Sequence, residues 1–139
     1  MTEAAAPDPA PDPQDRDRLL TDFARRVPGV LRAAVVAPDG VLVAASGRAQ
    51  PDQPGQPGQL SATTAGLISL AGAAARMSGG GTVTQALVTM ARGTLVIMAL
   101  DQGSSLAVLA AATADLDTVA YEMTMLAQQA GSAFTPPAR

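Results

Sequence analysis

Three short segments punctuate this chain: Pro38-Asp39-Gly40, Ala91-Arg92-Gly93 and Asp101-Gln102-Gly103. Each stands between two apolar runs rich in Val, Leu and Ala, so each reads as the tip of a β-hairpin. Glycine reaches the positive φ of a tight turn, and Pro or Asp presets the turn. Helical periodicity flanks and interrupts these hairpins. The resulting order is helix, hairpin, helix, three-stranded meander, helix.

The first helix opens near Asp15 or Asp17, where carboxylates suit the positive end of the helix dipole. It closes with Arg25 and Arg26 at the negative end. Leu19, Leu20, Phe23 and Val27 form its apolar face, and Pro28-Gly29 stops it. Residues 30–37 and 41–46 form the first hairpin. The segment 48–59 is rich in Pro, Gly and Gln and reads as a flexible surface loop.

The second helix is expected over 61–78. Its large apolar members are Leu60, Leu67, Ile68, Leu70 and Met77; the rest are small. Gly66 and Gly72 each cost roughly 1 kcal/mol relative to Ala in a helix interior, so close contact should compensate. Gly66, Ser69 and Ala73 lie along one side, which either faces the sheet or receives another helix across a dimer. Gly79-Gly80-Gly81 then caps the helix. A phosphate-cradling loop lies between a strand and the start of a helix. This glycine run has the opposite order and no Lys, which rules that reading out.

Residues 82–90, 94–100 and 105–110 read as three strands. In the first, Val83, Gln85, Leu87 and Thr89 share one face, and Thr84, Ala86, Val88 and Met90 the other. The second is apolar throughout, so it should be central and covered on both faces. The last helix opens near Thr113 or Asp115 and runs to about Ser132, burying Leu116, Val119, Ala120, Met123, Leu126, Ala127 and Ala130. Tyr121 and Met125 fall partly off that stripe, as edge-of-core or partner-facing residues. Residues 1–14 and 135–139 lack periodicity and are expected to be disordered tails around a domain spanning 15–134.

The 139 residues amount to one domain. Hydrophobic residues make up 47% but aromatics only 2%, so the core must be built from aliphatic side chains. The chain has no His, Cys or Trp, and all nine basic residues are Arg. The common nucleophile–base pairs and thiolate metal sites are therefore unavailable. Ser104 and Ser105 have no base in view. Asp39 and Asp101 are explained by turn duty, and no loop carries metal-ligand spacing. We expect no enzymatic activity and no cofactor. Arg48, Arg76 and Arg92 could act in trans on a phosphoryl group, but each also reads as a solvated surface charge. A net charge of −3 with so few aromatics excludes a nucleic-acid partner. No apolar run reaches the ~18 residues of a membrane span, and the N-terminus lacks signal-peptide character. A soluble, cytoplasmic protein is expected.

The order α-β-β-α-β-β-β-α over about residues 15–135 resembles the roadblock/LC7 family. It is most similar to bacterial members encoded with a small Ras-like GTPase and a sensor-kinase-like protein. The resemblance is carried by Leu20-Thr21-Asp22-Phe23, Val27-Pro28-Gly29-Val30 and Ala37-Pro38-Asp39-Gly40-Val41-Leu42-Val43-Ala44. Further on it rests on Met77-Ser78-Gly79-Gly80-Gly81, Gly103-Ser104-Ser105-Leu106-Ala107-Val108-Leu109 and Ala120-Tyr121-Glu122-Met123. It implies an α+β fold with a five-stranded antiparallel sheet in the order 2-1-5-4-3. The second helix would lie on one face and the first and third on the other.

The resemblance further implies a homodimer joined through the second helix and the 82–90 strand. It would act as a scaffold or regulator that binds a small Ras-like GTPase and modulates its nucleotide state or location. A sensor-kinase-like protein is a further implied partner, and any membrane association would come through partners. The candidate interface residues are Gly66, Ser69, Ala73, Arg76, Val83, Gln85 and Leu87. The competing reading is a small-ligand sensor of profilin-, GAF- or PAS-like architecture. The apolar faces of this chain lack buried-looking polar residues, which counts against that reading, and the scarcity of aromatics counts against a cofactor.

Overall fold

The computed structural model describes residues 13–47 and 57–134. It contains α1 (Pro13–Arg26), β1 (Val30–Val36), β2 (Leu42–Ala45), α2 (Pro57–Ser78), β3 (Gln85–Met90), β4 (Gly93–Ala99), β5 (Ser105–Ala111) and α3 (Leu116–Ala130). One 3-10 turn, Asp101–Gly103, joins β4 to β5, and another, Gly131–Phe134, follows α3. The five strands form one sheet in the order β2-β1-β5-β4-β3, antiparallel at every step. The expected α+β fold, strand order and helix placement all hold.

Alternating side chains on the strands build two cores. On one face Leu20, Phe23 and Val27 of α1 and Val119, Met123 and Leu126 of α3 pack on Val35, Val96, Leu106 and Val108. Both phenylalanines of the chain, Phe23 and Phe134, are buried in this layer. Each contributes roughly 1.5–3 kcal/mol of transfer free energy. On the other face Leu60, Leu67 and Ile68 of α2 cover Ala34, Leu95, Ile97 and Ala107, with Ala86 and Val88 at the margin. That second layer is aliphatic only. β4 is buried on both faces from Gly93 to Ile97, as its unbroken apolar run requires.

The helix ends follow local chemistry. Asp115 caps α3, its carboxylate accepting the N–H groups of Asp117 and Thr118. At the end of α2, Gly79 has φ 68° and the Gly80 N–H bonds the Ala75 carbonyl at 2.9 Å, a Schellman closure. Gly29 ends α1 at φ 86°, and a Cβ there would stand 2.5 Å from the Ala114 Cβ. Glycine is required at that position by both conformation and space.

Several boundaries differ from the sequence reading. α2 begins at Pro57, so Pro57, Gly58 and Gln59 form its first turn instead of ending a loop. Proline is tolerated there because the first-turn N–H has no intrahelical partner to lose. α1 likewise begins at Pro13. The 82–90 strand is shortened to Gln85–Met90. Gly93 is not a positive-φ turn residue. It is the buried first residue of β4, where a Cβ would lie 2.8 Å from the Ala110 carbonyl oxygen. The 48–56 part of the expected loop, residues 1–12 of the N-terminal tail and the 135–139 tail lie outside the described residues.

Candidate interaction surface

The two sheet edges differ. β2 is closed from outside by α1. The Asp17 carboxylate accepts the Ala45 N–H at 2.9 Å, and the Thr21 hydroxyl accepts the Gly47 N–H at 2.9 Å. At β3 the Thr84 carbonyl accepts the Ala99 N–H, so the alternate residues Gln85, Leu87 and Thr89 turn their backbone polar groups outward. Among the described residues no side chain hydrogen-bonds that outer edge. An open edge of this kind is a template for another strand.

α2 is placed over β3 by the packing of Leu67 and Ile68 in one cluster with Ala86 and Val88. Its first turn is tied to the first hairpin by the Ser61 hydroxyl, which donates to the Gly40 carbonyl at 2.6 Å. The opposite side of α2 faces outward. Gly66, Ser69 and Arg76 on it are exposed and Ala73 is half-buried, so the small-residue side does not face the sheet. A Cβ on Gly66 would meet nothing within 4 Å, and one on Gly72 would meet only the Arg76 Nη1 at 3.5 Å. No close contact among the described residues offsets these two helical glycines.

Leu70 and Met77, 71% and 88% exposed, lie on that same outer side. With Gly66 and Ala73 they follow the spacing 66, 70, 73, 77, a seam that alternates small and large residues. Sequence reasoning named Leu70 and Met77 only as large apolar members of the helix and did not assign them to this side. On β3, Leu87 is 50% exposed and pairs across to Val96, while Met90 is 46% exposed at the strand end. Gln85 is exposed opposite Met98, and Val83 is half-buried just before the strand. The predicted residues thus gather on α2 and β3. Four of the seven exposed large apolar residues described, Leu70, Met77, Leu87 and Met90, belong to these two elements. Tyr121 is also exposed, on α3, and Met125 is half-buried there.

Arg92 is exposed in the β3–β4 turn, and Arg48 lies outside the described residues. Recesses among the described residues flank the sheet. A groove of about 510 Å³ between the end of β4 and α3 holds one ionisable group, Asp101, beside Met98 and Thr124. A cavity of about 260 Å³ lies between α2 and the β1–β2 and β4–β5 turns. Ser61, Thr64, Thr94, Ser104 and Ser105 are buried, so the interior carries more polar groups than the apolar runs suggested. The hydroxyls of Thr64 and Ser104 have no partner. An unpaired buried hydroxyl costs about 1–3 kcal/mol.

Known proteins share this architecture. The Roadblock/LC7 domain model matches residues 16–110. A crystal structure of a Roadblock/LC7 domain from Streptomyces avermitilis is 31% identical, with a TM-score of 0.73, covering 83% of this chain and 93% of that one. The gliding protein MglB from Thermus thermophilus is 17% identical, with a TM-score of 0.75, covering 89% and 92%. Profilin IB from Acanthamoeba castellanii is 15% identical, with a TM-score of 0.56, covering 81% and 94%. At these identities the last two share the fold alone. No curated protein matches the chain.

Proposed function

The chain belongs to the Roadblock/LC7 domain family, and on that premise we propose that it is a non-catalytic homodimeric scaffold that binds a small Ras-like GTPase. Through that contact it biases the nucleotide state or the location of the GTPase. The observation that carries this reading is the contrast between the sealed β2 edge and the open β3 edge beside an apolar helix face. Two copies meet edge to edge at β3, in a self-complementary antiparallel pairing that a two-fold axis permits. Gly66 and Ala73 let the two α2 backbones approach, and Leu70 and Met77 fill the spaces between them. On this reading the dimer acts by positioning the switch regions of the GTPase, so it needs no acid–base pair of its own.

The test is capture from native lysate by the tagged full chain, in GDP or in a non-hydrolysable GTP analogue, with identification by mass spectrometry. Recovery of a small GTPase, stronger in one nucleotide state, supports the reading and sets its direction. A folded, dimeric bait that recovers no GTPase in either state overturns it.

A further inference from the structure

We propose that Arg76, Met77, Met90 and Arg92 form a docking patch for an acidic protein segment that carries apolar side chains. The patch stands whether or not that segment belongs to a GTPase, and it is tested without one.

Topology brings these residues to one end of the molecule. The Ser61 hydroxyl fixes the start of α2 at the β1–β2 turn. β3 begins at that same end, because Gln85 pairs with Met98 and Ala99 with Ser105, which in turn pairs with Val36. Helix and strand therefore run the same way. Ile68 and Val88 share one cluster and set the two elements level. From Ile68 the helix advances ~12 Å to Arg76 at about 1.5 Å per residue. From Val88 the strand advances ~13 Å to Arg92 at about 3.3 Å per residue. Met90 alternates with Val88 and so lies on the α2 face, 46% exposed, and Met77 is 88% exposed at the end of the α2 seam.

The charge of this end is of one sign. No Asp or Glu occurs from 53 to 100, and Arg76 and Arg92 are the only charged residues there, in a chain of net charge −3. Both are exposed, and neither has an ion pair or hydrogen bond among the described residues. Elsewhere Arg18 and Arg26 pair with Asp15 and Glu122, and Arg16 bonds the Ala133 carbonyl. Asp39 and Asp101 stand in turns at the opposite end of the sheet, and the Asp115 carboxylate is taken up by the α3 cap. Arg76 stands in the last turn of α2, where a cation complements the helix dipole. Its Nη1 nevertheless lies one turn back, 3.5 Å from the Cβ position of Gly72. The guanidinium thus follows the outer side of the helix instead of capping its last carbonyls.

These side chains set the partner's chemistry. Arg takes a carboxylate through two parallel N–H donors, and unbranched Met adapts to varied apolar groups. Both residue types are enriched in protein interfaces. An anionic membrane matches less well. Polybasic membrane sites use about 4–8 cations, and the net charge of −3 opposes approach to such a surface.

The experiment titrates the full chain at low salt with the end-blocked peptide Glu-Asp-Leu-Leu-Asp-Glu-Leu-Glu, following backbone amide resonances. The comparator peptide carries Gln and Asn in place of Glu and Asp. The acidic peptide is expected to shift Arg76, Met77, Met90 and Arg92 saturably. The double variant Arg76→Gln, Arg92→Gln should bind it about five- to tenfold more weakly, the worth of two exposed ion pairs. Arg25→Gln, on the exposed side of α1, should leave binding unchanged, and equal melting temperatures show that the variants fold. No saturable shift at the patch overturns the proposal. So does equal binding of the neutral peptide, undiminished binding by the double variant, or an equal loss in Arg25→Gln. Shifts of the same residues by phosphatidylserine vesicles, with the peptide inert, overturn it in favour of a membrane. Shifts on raising the protein concentration, with the peptide inert, overturn it in favour of a second copy.

Discussion

The Asp17 carboxylate accepts the backbone N–H of Ala45 at 2.9 Å across 28 residues of chain. One turn later the Thr21 hydroxyl accepts from Gly47 at 2.9 Å while donating to the Asp17 carbonyl at 2.8 Å. Helix α1 thereby occupies the outward N–H at the end of β2 and the next outward N–H beyond it. Nothing comparable covers β3 among the described residues. The sheet is extensible in one direction, which limits edge-to-edge growth to pairs.

Asp17→Ala removes the first of these closures. It should destabilise the fold by about 1 kcal/mol, the net worth of such a bond, and permit species larger than a dimer at high protein concentration. Urea unfolding and sedimentation read the two effects. Unchanged stability with unchanged assembly would show that the contact does not guard the edge.

Gly66→Ala and Gly93→Ala should move in opposite directions. Gly66 has open space around its Cβ position, so Ala strengthens the helix by roughly 1 kcal/mol while holding two helices further apart. The variant should melt higher and dimerise more weakly. At Gly93 the new Cβ meets the Ala110 carbonyl oxygen at 2.8 Å, and the crowding should cost about 1–3 kcal/mol. Thermal melts at several concentrations separate intrinsic stability from association.

Leu70→Asp tests the outer face directly. The side chain is 71% exposed, so the protomer should retain its fold and stability within about 0.5 kcal/mol. The dimer should dissociate, because the charge would be buried against a second α2. A variant that stays dimeric by light scattering places the self-contact elsewhere.

Arg16 is buried to 8% exposure and its Nε donates to the Ala133 carbonyl at 2.8 Å, tying the start of α1 to the turn after α3. Arg16→Met should cost roughly 1.5–3 kcal/mol, as for hydrogen bonds to charged groups. It should also speed amide exchange over Gly131–Phe134, where Phe134 plugs the core. Mass-resolved hydrogen exchange checks the local effect.

Much of the fold was legible because its causes are local. Hairpin turns, the Asp115 cap, the Gly79–Gly81 terminator and the doubly apolar β4 each announce themselves within a few residues. Together with the order of helical and strand periods they were sufficient to indicate the sheet. The outward side of α2 was not legible, because hydrophobic periodicity reports contrast between faces, and a helix of Ala, Gly, Ser and Thr has little. Only packing against Ala34, Leu95 and Ile97 chose Leu60, Leu67 and Ile68 for the core and left Leu70 and Met77 outside.

The sequence by itself determined the number, kind and order of the elements, since those follow from short-range propensity and spacing. Tertiary structure alone decided that α1 seals β2, that Gly93 serves close approach instead of turn geometry, and that the Thr64 hydroxyl is left without a partner. Each of these depends on atoms far apart in the chain, whose meeting no local pattern encodes.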